Sequence, residues 1–469
     1  MSIDLSLDRL QRAVPHLPKY TRPTCHIAGT NGKGSVTAII SSIFRSTSPP
    51  LNVGRYNSPH LTSIYDSIVI NDDPVDAKLY GSVRFAVERV DQELGTKLSS
   101  FELLTLTALQ IFERTGVDVA VIEVGMGGRL DATNVIPDEA ILVSALTNVD
   151  LDHQAFLGST VSAIAREKAG IARPQKPFVL GPQRYQDVIA VVKDEITKKS
   201  AHLVPLVDIR PVRSSSEVSN VSFRAVPFQP PSRVRFTCRS PILSEGIMIE
   251  APLHGEHQLE NLATALTTVS ALVTNDNPFK EKLLSSLSPT TLINGIENTQ
   301  WRGRLSFHTI FTPRPLSVLL DGAHNPASAR TLVNYINQTT SLSTDSSIDL
   351  VYILALSHSP PKTPVETLSP LFPPNLSDVG TRVKLHVALL DFSRPEGMPW
   401  VKSVAPSELE NVIRDLVPNI DLWVAGQDAQ PGTSLPGALG WAKDRIGDAG
   451  IVVIAGSLYL VADFYRTFL

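Results

Sequence analysis

Short apolar runs closed by glycine or proline alternate with helix-length amphipathic stretches along most of the chain. That alternation predicts a parallel α/β sheet whose strands are joined by helices. Residues 25–28, 117–124 and 140–146 are short, apolar and rich in branched side chains, and predict buried strands. Residues 34–45, 77–94 and 102–114 carry the amphipathic pattern of helices. From 204 to 251 the period changes: VSNVSFRAV and SRVRFTC alternate apolar with polar, which predicts small antiparallel hairpins at a sheet edge. A helix over 257–273 follows and ends the first unit. A boundary is expected near 294–304, ahead of a new strand at 317–320, giving domains 1–298 and 299–469. The second α/β unit closes with a strand at 451–455, and the polar run 338–347 and the proline-rich 359–374 are expected loops.

The length, 469 residues, exceeds what a single core usually supports and agrees with two domains. A composition of 42% hydrophobic and 19% charged residues with a net charge of −4 is that of a soluble globular protein. It carries no basic stripe of the kind nucleic acid requires, so no nucleic-acid partner is expected. Nor is there an apolar run of the ~18 residues a membrane helix needs. The start, MSIDLSLDRLQRAV, is acidic early and has no apolar stretch, unlike a signal or transit peptide. Two cysteines, Cys25 and Cys238, make no disulfide framework and point to a reduced compartment. The cytosol is the expectation, with a mitochondrial location left open.

The first chemistry-bearing segment is GTNGKGS: Gly29, Thr30, Asn31, Gly32, Lys33, Gly34 and Ser35. It stands between a predicted buried strand and a predicted helix, the setting phosphate binding needs. Glycines let backbone N–H groups approach an anion, and the helix N-terminus adds partial positive charge. Lys33 can reach terminal phosphate oxygens, and the Ser35 hydroxyl can serve Mg²⁺. The spacing departs from G-x-x-x-x-G-K-[ST], because Ile27 occupies the first glycine position and Gly34 separates Lys33 from Ser35.

Glu123 ends the strand VDVAVIEVG just before GMGGRLDATN, where a carboxylate can hold Mg²⁺ beside a phosphate loop; taken alone it reads equally as a salt-bridged strand-end residue. His153 follows two aspartates in TNVDLDHQAFLGST, and Lys168 sits near a helix end in REKAGIARP. Alone, each of these two reads more simply as a structural or surface residue. Their order in one α/β unit is what gives them weight.

HIAGTNGKGSV, NSPHL, VIEVGMGGRLDATNVI, LDHQAFLGST, EKAGI, WRGRL and LLDGAHNP occur in the order seen in folylpolyglutamate and dihydrofolate synthases, within the Mur-type ligases. The resemblance spans nearly the whole chain, from IDLSLDRL to AGSLYL. EGMPW at 396–400, SLYLVADF and a start without a long extension resemble the fungal dihydrofolate synthases in particular. The resemblance implies the Mur ligase architecture: a P-loop-containing parallel-sheet ATPase domain with a small antiparallel edge sheet, and a second, Rossmann-like α/β domain.

It also implies roles. Ser58, Glu123 and His153 would surround Mg²⁺, with Ser35 serving the same or a neighbouring ion, so two ions are expected and K⁺ is admitted as another. The lysine matching Lys168 is carbamylated in such ligases, which turns a cation into an anionic oxygen ligand. Asn261, Arg304 and Asp321 would recognise adenine and ribose, His324 would lie near the phosphates or the amino acid, and Ser457 near the glutamate site. Phe101 and the Asp131, Ala132 and Thr133 segment would meet the pterin, with Asp131 bonding its nitrogens. Lys33, Lys168, His153 and His324 would carry the chemistry. Arg302 stands where proline is usual in WPGR, Asn57 where threonine often precedes S-P-H, and SHSPPK is more degenerate than the family's loop.

The activity implied is ATP-dependent ligation of L-glutamate to 7,8-dihydropteroate through an acyl phosphate, by a monomer. Three alternatives stay open: a folylpolyglutamate synthase or bifunctional enzyme acting on tetrahydrofolate, a nucleotide switch or plain ATPase with no ligase site, and a pseudoenzyme that binds folate.

Overall fold

The structure is a computed structural model that describes residues 6–212, 221–225, 227–243, 247–311, 315–372, 382–426, 430–447 and 449–469. The chain divides into two compact units. The first comprises Met1–Val212, Val234–Pro252 and Glu256–Trp301; the second comprises Arg213–Arg233, Leu253–Gly255 and Arg302–Leu469.

The first unit is built on an eight-stranded sheet. Its strands are β1 (Thr24–Ala28), β2 (Val53–Tyr56), β3 (Ile68–Ile70), β4 (Asp73–Pro74), β5 (Val119–Glu123), β6 (Ile141–Leu146), β7 (Pro177–Leu180) and β8 (His202–Val204). They lie in the order β4-β3-β2-β5-β1-β6-β7-β8, all pairs parallel except β2–β3 and β3–β4. β1, β5 and β6 are buried at every position, which is why they read as continuous apolar runs rather than alternating ones. The Lys33–Arg45, His257–Thr274 and Pro289–Glu297 helices cover one face with Ile39, Ile40, Phe44, Leu262 and Ile296. The Ser100–Thr115 helix covers the other with Leu104, Leu109 and Phe112. Each such side chain contributes ~1.5–3 kcal/mol on burial.

Helix ends follow local chemistry. Ser99 accepts from the Glu102 backbone N–H while Glu102 accepts from Ser99, a capping box, and Gly116 in the left-handed region closes the Ser100–Thr115 helix. Asp76 caps Ala77–Leu94 by accepting from the Lys78 and Leu79 N–H groups, and Gly95 in the left-handed region closes it.

The antiparallel element is not an edge of the large sheet. β9 (Asp208–Val212), β10 (Arg235–Arg239) and β11 (Met248–Glu250) form their own three-stranded sheet. SRVRFTC supplies β10, but the VSNVSFRAV segment forms no hairpin among the described residues. Val221 makes one isolated bridge to Ser343, and its neighbours turn. Val221 and Phe223 are drawn into the second unit's core, which overrides their alternating pattern, and 218–220 and 226 lie outside the described residues.

The second unit holds a six-stranded sheet in the order β12-β13-β17-β14-β15-β16. These are β12 (Ser306–Phe311), β13 (Pro315–Leu320), β14 (Ser347–Leu354), β15 (Arg382–Leu389), β16 (Asp421–Val424) and β17 (Gly450–Ala455). Only β12–β13 is antiparallel. β12 has no counterpart in the sequence reading, and a helix, Leu458–Phe468, follows the strand expected to close the unit. Both expected loops are partly helical. Polar residues 338–341 are the last turn of Pro326–Ser341, and Thr363, Pro364 and Glu366 start a short helix at Pro364–Leu368 with a capping box. Residues 373–374 lie outside the described ones.

Candidate active site

Two backbone positions make the glycine loop what it is. Gly29 (φ +153°) leaves no room for a Cβ against Thr147, and Gly32 (φ +92°) leaves none against the Asn261 amide. The loop is braced from behind by the segment after β6. Thr30 N–H donates to the Asn148 carbonyl at 2.8 Å, the Thr147 hydroxyl to the Asn31 carbonyl at 2.7 Å, and Thr30 Oγ1 accepts from the Asp150 N–H at 3.1 Å. Gly32 is the N-terminal boundary of the Lys33–Arg45 helix, with no side-chain cap, so the helix's first N–H groups point at the loop. Ser35 is buried in its first turn.

Lys33 Nζ stands 3.6 Å from Glu123 Oε1. Glu123 is 6% exposed at the end of β5, and its other oxygen accepts from Asn57 Nδ2 at 2.6 Å. The same amide reaches Thr37 Oγ1 at 2.8 Å. Register explains the meeting: β2 and β5 run parallel with Tyr56 beside Ile122, so the next residues, Asn57 and Glu123, emerge side by side. Ser58 follows Asn57 directly.

Lys168 is buried at the end of the Val161–Ala169 helix, and its Nζ donates to the Gly29 carbonyl at 2.8 Å. Burial first, then the charge of Lys33, hold its pKa down at about 7, against the partial support of Asp152 and Asp131. His153 adopts φ +51° as the N-terminal boundary of the Gln154–Leu157 turn, and its N–H donates to Asp152 at 2.9 Å. Thus Lys33, Glu123 and Lys168 gather at the loop, with Asn261 against Gly32.

The segment expected to meet the pterin is tied down by its own hydrogen bonds. Asp131, 4% exposed, accepts from Met126 N–H (2.8 Å), Thr133 N–H (3.0 Å) and the Thr133 hydroxyl (2.5 Å). Its carboxylate caps the Ala132–Val135 turn instead of facing outward, and burial raises its pKa. Thr133 is fully buried and pairs with His26 Nε2 at 2.8 Å, and Ala132 is 4% exposed. Phe101 rests on Gly125 and stacks on Tyr56 with centroids 6.4 Å apart.

In the second unit, Asp321 joins two motifs: it accepts from Leu305 N–H and Ala323 N–H, both at 2.9 Å. Arg304 Nη1 donates to the Gly303 carbonyl at 2.9 Å and packs on Gly322. His324 Nδ1 is 2.8 Å from the Gly322 carbonyl oxygen, which makes Nδ1 the donor. Lys362, from the degenerate SHSPPK segment, donates to the His324 carbonyl at 2.7 Å. Ser457, 1% exposed, caps the Leu458–Phe468 helix by accepting from Tyr459 N–H at 3.2 Å. Asn57 and Lys362 were missed as site-building residues; the departures from the family's motifs were the signal that could have found them.

Among the described residues no group of three His, Cys, Asp or Glu side chains could hold a metal alone. Glu123 is nonetheless a hard oxygen donor beside a phosphate loop, with Ser35 and Ser58 on the adjoining segments. That set fits a hard divalent ion sharing its coordination with nucleotide phosphates. No described helix is long and apolar enough to cross a membrane.

The parallel sheet, the glycine loop at its first strand–helix turn and the buried acid beside it define a phosphate-binding α/β protein. Residues 27–269 match the Mur ligase middle domain, and residues 304–467 match the C-terminal domain of dihydrofolate synthetase. The dihydrofolate synthetase of Saccharomyces cerevisiae is 31% identical over 99% of this chain and 98% of its own. The probable dihydrofolate synthetase of Schizosaccharomyces pombe is 31% identical over 99% of both. The folylpolyglutamate synthase of Mycobacterium tuberculosis complexed with ADP and AMPPCP superposes with a TM-score of 0.73 at 27% identity, covering 98% of this chain and 95% of that one. The chain belongs to the dihydrofolate synthetase branch of the Mur ligase family.

Proposed function

We propose that the protein ligates L-glutamate to 7,8-dihydropteroate at the cost of ATP, giving dihydrofolate, ADP and phosphate. The observation that carries the reading is the meeting of Lys33, Glu123 and the low-pKa Lys168 at the phosphate loop. It is supported by the match to two fungal dihydrofolate synthetases over essentially the full chain and by the nucleotides in the Mycobacterium tuberculosis relative.

The benzoyl carboxylate of dihydropteroate attacks the γ-phosphorus, forming an acyl phosphate and releasing ADP. The glutamate amine then adds to the acyl carbon, loses a proton and expels phosphate. Backbone N–H groups of Gly32 to Ser35 cradle the phosphates, and Lys33 Nζ follows the negative charge on the transferring group. Asn57 keeps Glu123 aimed at the loop. Divalent ions held by Ser35, Ser58, Glu123, His153 and carbamylated Lys168 would neutralise charge on the transferring phosphoryl group. Asn261, Arg304 and Asp321 would serve the nucleoside, His324 the phosphates or the amino acid, and Phe101 the pterin. Asp131 shapes the loop from within. Two buried free cysteines agree with a cytosolic setting.

The test is incubation with ATP, glutamate and either dihydropteroate or tetrahydrofolate. ADP release that requires both dihydropteroate and glutamate is expected. Turnover with tetrahydrofolate alone would make it a folylpolyglutamate synthase, and hydrolysis indifferent to both substrates would sink the ligase reading.

A further inference from the structure

Arg55 lies on the sheet face where an arginine is least expected. It sits in β2, parallel to β5 and opposite Val121, on the face that Val53, Val119, Val121 and the Lys33–Arg45 helix fill with apolar side chains. Burial works against its charge, and Asp72 and Glu123 support it electrostatically. Its guanidinium carbon stands 5.0 Å from the centre of the Trp301 ring. Trp301 in turn presses on Gly34 of the phosphate loop, where even a Cβ would collide with the indole. The Arg55 Nε and Trp301 Nε1 atoms are both buried and find no hydrogen-bond acceptor among the described residues.

The fold alone does not call for this arrangement. A buried charge is commonly replaceable by an apolar side chain of similar volume at no loss of stability. A cation held over an indole gains ~2 kcal/mol when desolvated, which keeps the pair together but does not explain why a cation is there. Location supplies the reason. Arg55 answers to Glu123, the acid of the site, and carries Trp301, the last residue of the first unit, which touches the loop's own glycine.

We propose that Arg55 is a positioning residue that stacks Trp301 on Gly34 and couples its placement to the charge state around the phosphate loop and Glu123. Filling the loop with a nucleotide triphosphate and its divalent ion changes the charge Arg55 faces, and the stacked indole responds. The inference rests on the reading of the loop as an ATP site, and its test does not depend on ligation.

The full chain is titrated with a nonhydrolysable ATP analogue and Mg²⁺ while tryptophan emission is followed, with Trp301→Phe assigning the Trp301 share among the four tryptophans. The expected result is a saturable change in Trp301 emission that Arg55→Met abolishes, with analogue affinity shifted by less than ~3-fold. In turnover, Arg55→Met lowers kcat ~10-fold and leaves the KM for ATP within ~3-fold, the split expected when alignment rather than binding is lost. Arg55→Lys keeps the charge without the planar stack and restores part of the signal; it also serves as the reporter should Arg55→Met fail to fold. An unchanged emission response in both variants overturns the proposal, as does a wild-type protein that binds the analogue with no change at Trp301. Failure of the ligase reading shows instead as absent turnover with the emission response intact.

Discussion

Lys168 donates to the carbonyl of Gly29 at 2.8 Å, so the buried amine is fastened to the phosphate loop from beneath. Burial, and then the charge of Lys33, disfavour an ammonium there, which is why its pKa falls from 10.5 to about 7. Between those values the unfolded chain holds a proton that the folded one does not. The lysine's contribution to stability therefore rises with pH across that window and is least favourable below about 7. Lys168→Met is expected to gain stability over the wild type at pH 6 and to lose that advantage toward pH 10, as read from urea midpoints in CO₂-free buffer. In the same variant ligation should fall at least ~100-fold while ATP binding survives. Undiminished turnover would remove Lys168 from the chemistry.

A lysine that is largely neutral near pH 8 is a nucleophile for CO₂, and the carbamate it forms is an anion suited to the cations around it. Wild-type protein with ¹³C-bicarbonate at pH 8 should show one carbamate carbon resonance that is absent from Lys168→Met. Activity measured after CO₂ depletion should recover on adding bicarbonate. A resonance that persists in the variant would place the carbamate elsewhere.

Gly32 combines φ +92° with the Asn261 amide at the position of its missing Cβ. Gly32→Ala meets both obstacles, and truncating Asn261 relieves only one. Backbone strain of ~1–3 kcal/mol predicts a ~10–100-fold loss of ATP affinity, measured by calorimetry. The double variant Gly32→Ala with Asn261→Ala should bind ATP as much below Asn261→Ala alone as Gly32→Ala does below the wild type. Equal affinity in the double variant and in Asn261→Ala alone would mean that the clash, not the backbone, dictates glycine.

These positions show how far sequence reading reaches. GTNGKGS is a local motif whose strand, glycines and helix are contiguous, so its geometry follows from order alone. Glu123 could be singled out only in company, because an acid ending an apolar strand reads equally as a salt-bridged residue until the glycine loop is set beside it. Asn57 was not, because its role comes from β2 lying beside β5, a pairing between segments 66 residues apart. The capping role of Asp131 was hidden for a related reason: D-A-T-N is an N-cap sequence as well as a binding motif, and the order of residues does not say which use the carboxylate has. In the second unit, β12 pairs beside β13 with nothing in its alternation strong enough to announce it, and Val221 follows the core it packs into rather than its own period.

Asp131 satisfies three donors from Met126 and Thr133 inside the GMGGRLDATN turn. Asp131→Ala would orphan them at a cost of ~1–3 kcal/mol, lowering the melting temperature by several degrees. The loss should appear with no ligand present. If stability is unchanged while dihydropteroate binding disappears, the carboxylate faces the substrate after all.

Asn57 offers the sharpest separation of shape from hydrogen bonding. Its amide spans Thr37 Oγ1 at 2.8 Å and Glu123 Oε2 at 2.6 Å. Threonine, the residue often found before S-P-H in the family, keeps one hydroxyl donor for Glu123, whereas valine has nearly the same shape and none. Asn57→Thr should retain kcat within ~3-fold, while Asn57→Val should lose ~10–100-fold and require more Mg²⁺ for half-maximal rate, as expected when a ligand's supporting donor is removed. The two variants bury similar volumes, so comparable melting temperatures would show that the difference lies in how Glu123 is held. Equal activity in both would mean that Lys33 and Arg55 orient Glu123 without help from residue 57.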